Sequence, residues 1–192
     1  MVKKFKVRLE GVRPLLMSNG RLTDPMDPFS VEIAKFDKLH HSKKTVEGAK
    51  ATDLLRWLGQ TYANEEGKLI LPRENMLGCL VKAARVHKLG TKAASGLWVV
   101  DDSILKFESN DETIEELKTN PKYTLRVRCK RGVMLTRPMI PDWSAEFEIH
   151  VDTRVIGTDE AMTVFETAGA IGIGAWSARF GKFDLGVEEI VS

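Results

Sequence analysis

The sequence predicts an α+β fold, and three observations carry the prediction. Residues 3–9, 123–131 and 145–151 alternate apolar and polar side chains with period two, the pattern of half-buried strands. Residues 75–89 and 158–168 instead space their apolar residues for one face of a helix. The chain has 192 residues, 43% hydrophobic and 29% charged, which suits one globular domain with a sizeable core.

The first strand runs from Lys3 to Leu9. Phe5, Val7 and Leu9 face the core, Lys4, Lys6 and Arg8 give a basic outer face, and the strand is expected to continue through Val12 and Leu15 to Met17. Asn19-Gly20 and Asp24-Pro25-Met26-Asp27-Pro28 then mark a loop. Asp27-Pro28 is also a helix start, with Asp as N-cap and Pro in the first turn. A short helix over 29–39 and a better one over 47–60 follow, the second with Ala51, Leu54, Leu55 and Leu58 as its apolar stripe. Residues 18–50 read as a polar excursion from the core.

Residues 68–71 form a short strand, and Pro72 turns the chain into the helix over 75–89, with Gly90 as its stop. Residues 91–96 are small and polar and read as a loop. Short strands are expected at 97–100 and 104–107, and an acidic helical turn at 112–118 ends at Asn120-Pro121. The strand over 123–131 meets a bend or bulge at Gly132. Residues 133–136 stay extended, and Pro138 and Pro141 bracket a loop. After the strand over 145–151, Thr158 caps a helix with Asp159 and Glu160 in its first turn. A last strand covers 183–191. Without the excursion, this order approaches a βαββαβ ferredoxin-like sandwich.

Whole-molecule charge is small at +2, but its distribution is uneven. No acidic residue falls between positions 119 and 141, where Lys122, Arg126, Arg128, Lys130, Arg131 and Arg137 cluster. A second acid-free run, 75–100, holds Lys82, Arg85, Lys88 and Lys92. Such asymmetry implies a basic face for a polyanion. Cys79 and Cys129 lack metal-ligand spacing and read as reduced core residues. Met1-Val2-Lys3-Lys4 leads into a strand rather than an apolar leader, and no apolar run is long enough to span a bilayer. A cytoplasmic location, no membrane contact, no metal and no cofactor are expected.

The stretch from Gly169 to Phe183 concentrates what binding of a single strand requires. Gly172 and Gly174 permit close backbone approach, and their N–H groups suit a phosphate. Trp176 and Phe180 offer faces for base stacking, and Arg179 and Lys182 add positive charge.

Two stretches together resemble the RAMP superfamily, the repeat-associated proteins that include backbone subunits of CRISPR effector complexes. Residues 71–85, Leu-Pro-Arg-Glu-Asn-Met-Leu-Gly-Cys-Leu-Val-Lys-Ala-Ala-Arg, are similar to that family's strand-to-helix segment, with Arg73-Glu74-Asn75 in place of the usual glycine and hydroxyl residues. Gly172-Ile173-Gly174, followed by Phe180-Gly181-Lys182-Phe183, is similar to its C-terminal glycine-rich loop, with Phe183 where a last glycine is common. The resemblance covers most of the chain and is closest to the single-domain backbone subunit. It implies an RRM-like palm over 1–192, with thumb- or finger-like insertions at about 18–50 and 91–111. It also implies polymerisation into a filament or ring along RNA, with other effector subunits as further partners. A phage or mobile-element coat protein would carry the same features.

The expected function is therefore sequence-independent binding of single-stranded RNA or DNA, with RNA favoured. Lys82, Arg85, Arg126, Arg128, Lys130, Arg131, Arg137, Arg179 and Lys182 would meet phosphates. Gly172, Gly174, Trp176 and Phe180 would meet backbone and bases. One alternative is an endoribonuclease, metal-independent or metal-assisted, with His40, His41, Asp24, Asp27 and Asp37 as candidates. The other is an assembly protein that binds no nucleic acid. His87 and His150 have no obvious partner in the sequence. No Walker loop, zinc-type spacing or serine-nucleophile elbow is present.

Overall fold

The computed structural model describes residues 1–40, 45–109, 112–128 and 134–191. In chain order the elements are β1 (Val2–Gly11), β2 (Leu15–Leu16), a 3-10 turn (Gly20–Thr23), α1 (Pro28–His40), α2 (Val46–Gln60), β3 (Ile70–Leu71) and α3 (Arg73–Val86). Then come α4 (Gly90–Gly96), β4 (Leu97–Val99), β5 (Ser103–Ile104), β6 (Lys106–Phe107), α5 (Ile114–Leu117) and a second 3-10 turn (Pro121–Tyr123). The chain ends with β7 (Thr124–Arg128), β8 (Met134–Ile140), β9 (Trp143–Asp152), α6 (Thr158–Ile171) and β10 (Phe183–Glu189). This is the predicted α+β class, and every strand pair between these elements is antiparallel.

The main sheet has the order β10-β1-β9-β4, with β6 also on β9. Its register follows directly from the alternation in sequence. Val7 lies opposite Phe147 and Val187, so Phe5, Val7, Leu9, Ala145, Phe147, Ile149 and Val151 share one face and are buried. Helices α3 and α6 pack together. Phe5 meets Phe165 of α6 edge-on, with ring centroids 5.9 Å apart. Burying such side chains contributes roughly 1.5–3 kcal/mol each.

The opposite face of this sheet is not the bare cationic surface that β1 suggests. Lys6 Nζ lies 2.8 Å from Glu146 of β9, Arg8 Nε lies 3.1 Å from the same carboxylate, and Glu188 of β10 is 3.9 Å from Arg8. Alternating charge on β1 is answered by alternating charge on its neighbours.

β1 also ends sooner than its hydropathy implies. Beyond Gly11, the N–H groups of Val12 and Arg13 donate to Lys182 O at 2.8 and 3.1 Å. β2 instead joins a second sheet of order β2-β8-β7. Pro138, expected in a loop, lies inside β8. It cannot donate, but its carbonyl accepts from Met17 N–H at 3.0 Å, which keeps the strand paired. Residues 91–96, expected as a loop, form α4. Lys88, at φ +61°, makes the turn expected of Gly90, and Ala93 N–H then donates to Leu89 O at 2.9 Å.

Residues 18–50 hold the first 3-10 turn, α1 and the start of α2. Helix α2 packs on β8. Its anchor is Trp57, fully buried, with its indole N–H donating to Tyr123 O at 3.0 Å. The predicted stripe of Ala51, Leu54, Leu55 and Leu58 is only half-buried. In helix α6, Gly157 rather than Thr158 precedes the first turn, and its N–H donates to Glu160 at 2.9 Å. The bend expected at Gly132 lies outside the described residues. No described helix is long and apolar enough to cross a membrane.

Candidate functional site

The chain after α6 turns back on itself and is stitched to β2 and the segment just before it. Ile173 N–H donates to Gly181 O at 2.9 Å, Gly181 N–H to Pro14 O at 2.7 Å, and Ala175 N–H to Leu16 O at 2.8 Å. Glycine is required for this approach. At Gly174 (φ +81°) a Cβ would lie 2.6 Å from Leu16 O, and at Gly181 (φ +60°) it would lie 1.9 Å from Ile173 O. Gly172, at φ +79°, terminates α6. The glycines therefore serve backbone-to-backbone packing first. The N–H groups of Gly174 and Trp176 are left without an acceptor among the described residues.

This loop forms one wall of an open cleft of about 420 Å³. The other walls come from α3, including Asn75, Gly78 and Lys82, from Ser18 after β2, and from Arg137 of β8. Trp176 adopts φ +49°, is 40% exposed, and stands with its ring 6.3 Å from that of Phe180, tilted by 47°. The Arg137 guanidinium lies 5.6 Å from the Trp176 ring centroid. The same guanidinium donates to Gln60 Oε1 at 3.1 Å and to Met17 O at 3.4 Å. Arg137 thereby joins the second sheet to the glycine loop and holds a cation against an aromatic face.

Lys82 is exposed on α3, and no carboxylate pairs with it or with Arg85 among the described residues. Cys79, one turn earlier, closes the floor. Its thiol donates to Ala168 O at 3.5 Å and Gly172 O at 3.4 Å. Burial pushes the thiol up to about 12, against the opposing pull of Lys82 and Lys182, so it stays protonated and inert.

Of the residues expected to bind a strand, the fold thus gathers Lys82, Arg137, Gly172, Gly174 and Trp176 around one cleft. Phe180 packs beside it, and Arg179 is exposed on the same loop. Lys182 is engaged elsewhere. Its ammonium binds Ala170 O and, at 3.0 Å, Ile171 O, so it caps the C-terminus of α6. Arg126 stands apart on β7 and pairs with Asp53 of α2 at 2.9 Å. Arg128 pairs through its backbone with Met134, and Lys130 and Arg131 lie outside the described residues. Ser18, Asn75 and Gly78 line the cleft without having been among the expected contact residues, although the last two belong to the 71–85 motif. Gly78, one helical turn from Lys82, is the one with a legible signal.

The acidic candidates have structural partners. Asp24 accepts from Met26 N–H at 2.9 Å. Asp27 accepts from Phe29 N–H at 2.9 Å and pairs with Arg21 at 2.8 Å. Partial burial raises the Asp27 pKa, but these partners outweigh it and the net shift is downward. Asp37 lies 3.6 Å from Arg56. His40 ends α1, while His41 lies outside the described residues. The other histidines do find partners: His87 Nε2 is 2.7 Å from Thr167 Oγ1, and His150 Nε2 is 2.6 Å from Glu148. Among the described residues no cluster of His, Cys, Asp or Glu could hold a metal ion.

No protein-family model matches this chain, and a search of curated proteins likewise returned no match.

Proposed function

We propose that this chain binds single-stranded nucleic acid, RNA in preference to DNA, along the cleft between α3 and the glycine loop, without reading base identity. The observation that carries this reading is the convergence of Lys82, Arg137, Trp176 and the loop Gly172–Ala175, distant in sequence, on one open cavity. Lys82 and the acceptor-free N–H groups of Gly174 and Trp176 suit a phosphate. The exposed indole suits a base, worth roughly 1–3 kcal/mol by stacking. Arg85 and Arg179 extend the positive charge beyond the cleft, and the β7–β8 hairpin carries a second basic stretch.

The strand order β10-β1-β9-β4, with α3 and α6 packed together, supports a ferredoxin-like core of the RRM-like type. Together with the two sequence motifs, that supports placement in the RAMP superfamily, and with it self-association along the bound strand. The charge-paired open face of the main sheet is a poorer platform for a polyanion than the cleft.

Fluorescence anisotropy of labelled single-stranded RNA and DNA at two salt concentrations tests the proposal. Binding is expected to be sequence-tolerant and steeply salt-dependent, with RNA ahead of DNA. Trp176→Ala is expected to weaken it about tenfold. Lys82→Glu should weaken it as well and flatten the log–log salt slope by about 0.7, one phosphate contact on a single strand. No binding at low salt would refute the reading. Cleavage of the strand on a gel, lost in His40→Ala, would replace it with a nuclease.

A further inference from the structure

Strand β10 forms one edge of the main sheet, with β1 as its strand partner. Ile190 N–H donates to Lys4 O at 2.9 Å and Val12 N–H to Lys182 O at 2.8 Å, in the register that pairs Val7 with Val187. Bonding alternates along an antiparallel pair, so the even-numbered residues of β10 turn their backbone groups to β1. Leu185, Val187 and Glu189 turn theirs outward, where these N–H and C=O groups have no partner among the described residues. Leu185 and Val187 are half-buried and Glu189 is exposed. No proline or lysine within residues 183–189 blunts the edge.

Beside this edge lies an open groove of about 590 Å³. Its apolar lining includes Val12, 58% exposed, Ala170 of α6 and Leu185. Helix α6 closes on the start of the strand, where a Cβ at Gly169 would fall 2.1 Å from Phe183 O, and the positions beyond stay accessible. The charge here is negative. Glu166 and Asp184 line the groove with no cationic partner among the described residues. Glu188, on the same strand face as Asp184, is 3.9 Å from Arg8, and the Lys182 ammonium is engaged by the C-terminus of α6.

We propose that the β10 edge docks a partner protein, which adds an extended segment of alternating apolar and basic residues antiparallel to it. Partner residues opposite Leu185 and Val187 share their face, so apolar side chains there enter the groove against Val12 and Ala170. The backbone groups of those same residues meet the outward N–H and C=O groups of β10. The intervening lysines or arginines lie on the other face, beside Asp184 and Glu188. A second copy fits poorly. Antiparallel self-pairing centred on Gly186 sets Asp184 opposite Glu188, and pairing centred on Val187 leaves two Glu188 carboxylates diagonal to each other. The acids thus repel a like edge and select a basic one. The groove shares no lining residue with the cleft, so this surface is independent of strand binding there.

Fluorescence anisotropy of the full chain with a labelled, end-capped heptapeptide of alternating lysine and valine tests this. Saturable binding is expected, and a peptide with glutamate for lysine should bind roughly tenfold more weakly or worse. Methylating the valine nitrogens, which face β10, should weaken binding by about tenfold, whereas methylating the lysine nitrogens, which face away, should change it less than about twofold. Val187→Pro removes an outward N–H without touching the β1 ladder, and Asp184→Lys reverses an exposed charge. Each is expected to weaken binding about tenfold, with circular dichroism reporting the fold. Absence of binding, equal affinity for the two methylated peptides, or indifference to both substitutions overturns the proposal. So does a dimer in sedimentation that Val187→Pro disperses, because a second copy then holds the edge. Trp176→Ala is expected to weaken nucleic-acid binding and leave peptide affinity unchanged, so the two readings fail separately.

Discussion

At the scale of single residues, the glycine loop shows geometry overriding chemistry. Gly181 sits where a methyl group would fall 1.9 Å from the Ile173 carbonyl oxygen, at a left-handed φ. Gly181→Ala is expected to cost more than about 2 kcal/mol, since backbone strain of roughly 1–2 kcal/mol adds to a clash that no side chain can relieve. Urea denaturation measures it, and a loss under about 1 kcal/mol would mean that the loop is looser than described. Cys79 gives a pH test. Burial holds its native thiol protonated up to about 12, whereas the unfolded thiol ionises near 9. Stability is therefore full below pH 9 and falls as pH rises from there toward 12. By pH 10 the loss is about 1.4 kcal/mol. Unfolding curves at pH 8 and pH 10 report it, and Cys79→Ala should remove that part of the difference. Lys182 shows that a cation beside aromatic residues in sequence can be consumed by a helix end.

At the scale of elements, the buried anchor of α2 is one side chain. Its sequence places leucines on a helical stripe, yet those leucines are half-buried, and the fully buried Trp57 makes the connection to Tyr123. Trp57→Ala is expected to cost about 3–5 kcal/mol, and Trp57→Phe less, because it keeps most of the volume and loses the indole hydrogen bond. Thermal unfolding of the two variants orders them; equal losses would assign the anchor to the hydrogen bond rather than the volume. The main-sheet strands were the most legible elements, because one face is buried and a slip of one residue would invert every side chain. α4 was the least legible. Its seven residues carry too few apolar positions for a helical period to show, and Lys88, not the glycine, makes the turn into it.

At the scale of the molecule, charge is sorted by pairing. Lys3, Lys6 and Arg8 of β1 are matched by glutamates on β9 and β10, while Lys82 and Arg85 on α3 have no carboxylate partner among the described residues. Lys6→Glu on the open face is therefore expected to leave strand affinity within about twofold, as screened surface charge does at physiological salt. An equal loss in Lys6→Glu and Lys82→Glu, read by anisotropy, would show that net charge rather than the cleft governs binding. A cation's sequence neighbours do not reveal its spatial partners: Arg126 and Arg137 are both basic residues of one hairpin, but Asp53 neutralises the first and Trp176 receives the second.

Local pattern alone determined the α+β class, the strands β1 and β9, helices α3 and α6, and the two motifs that flank the cleft. Periodicity and capping act over a few residues, so they are legible without a fold. Tertiary structure decided which cations remained unpaired, where β2 and Pro138 belong, and that five of the expected contact residues share one cleft. It also left the Thr124 and Thr136 hydroxyls buried with no partner among the described residues. Those outcomes depend on pairings between residues far apart along the chain, and packing and Coulomb interactions select them only once the sheets and helices are assembled.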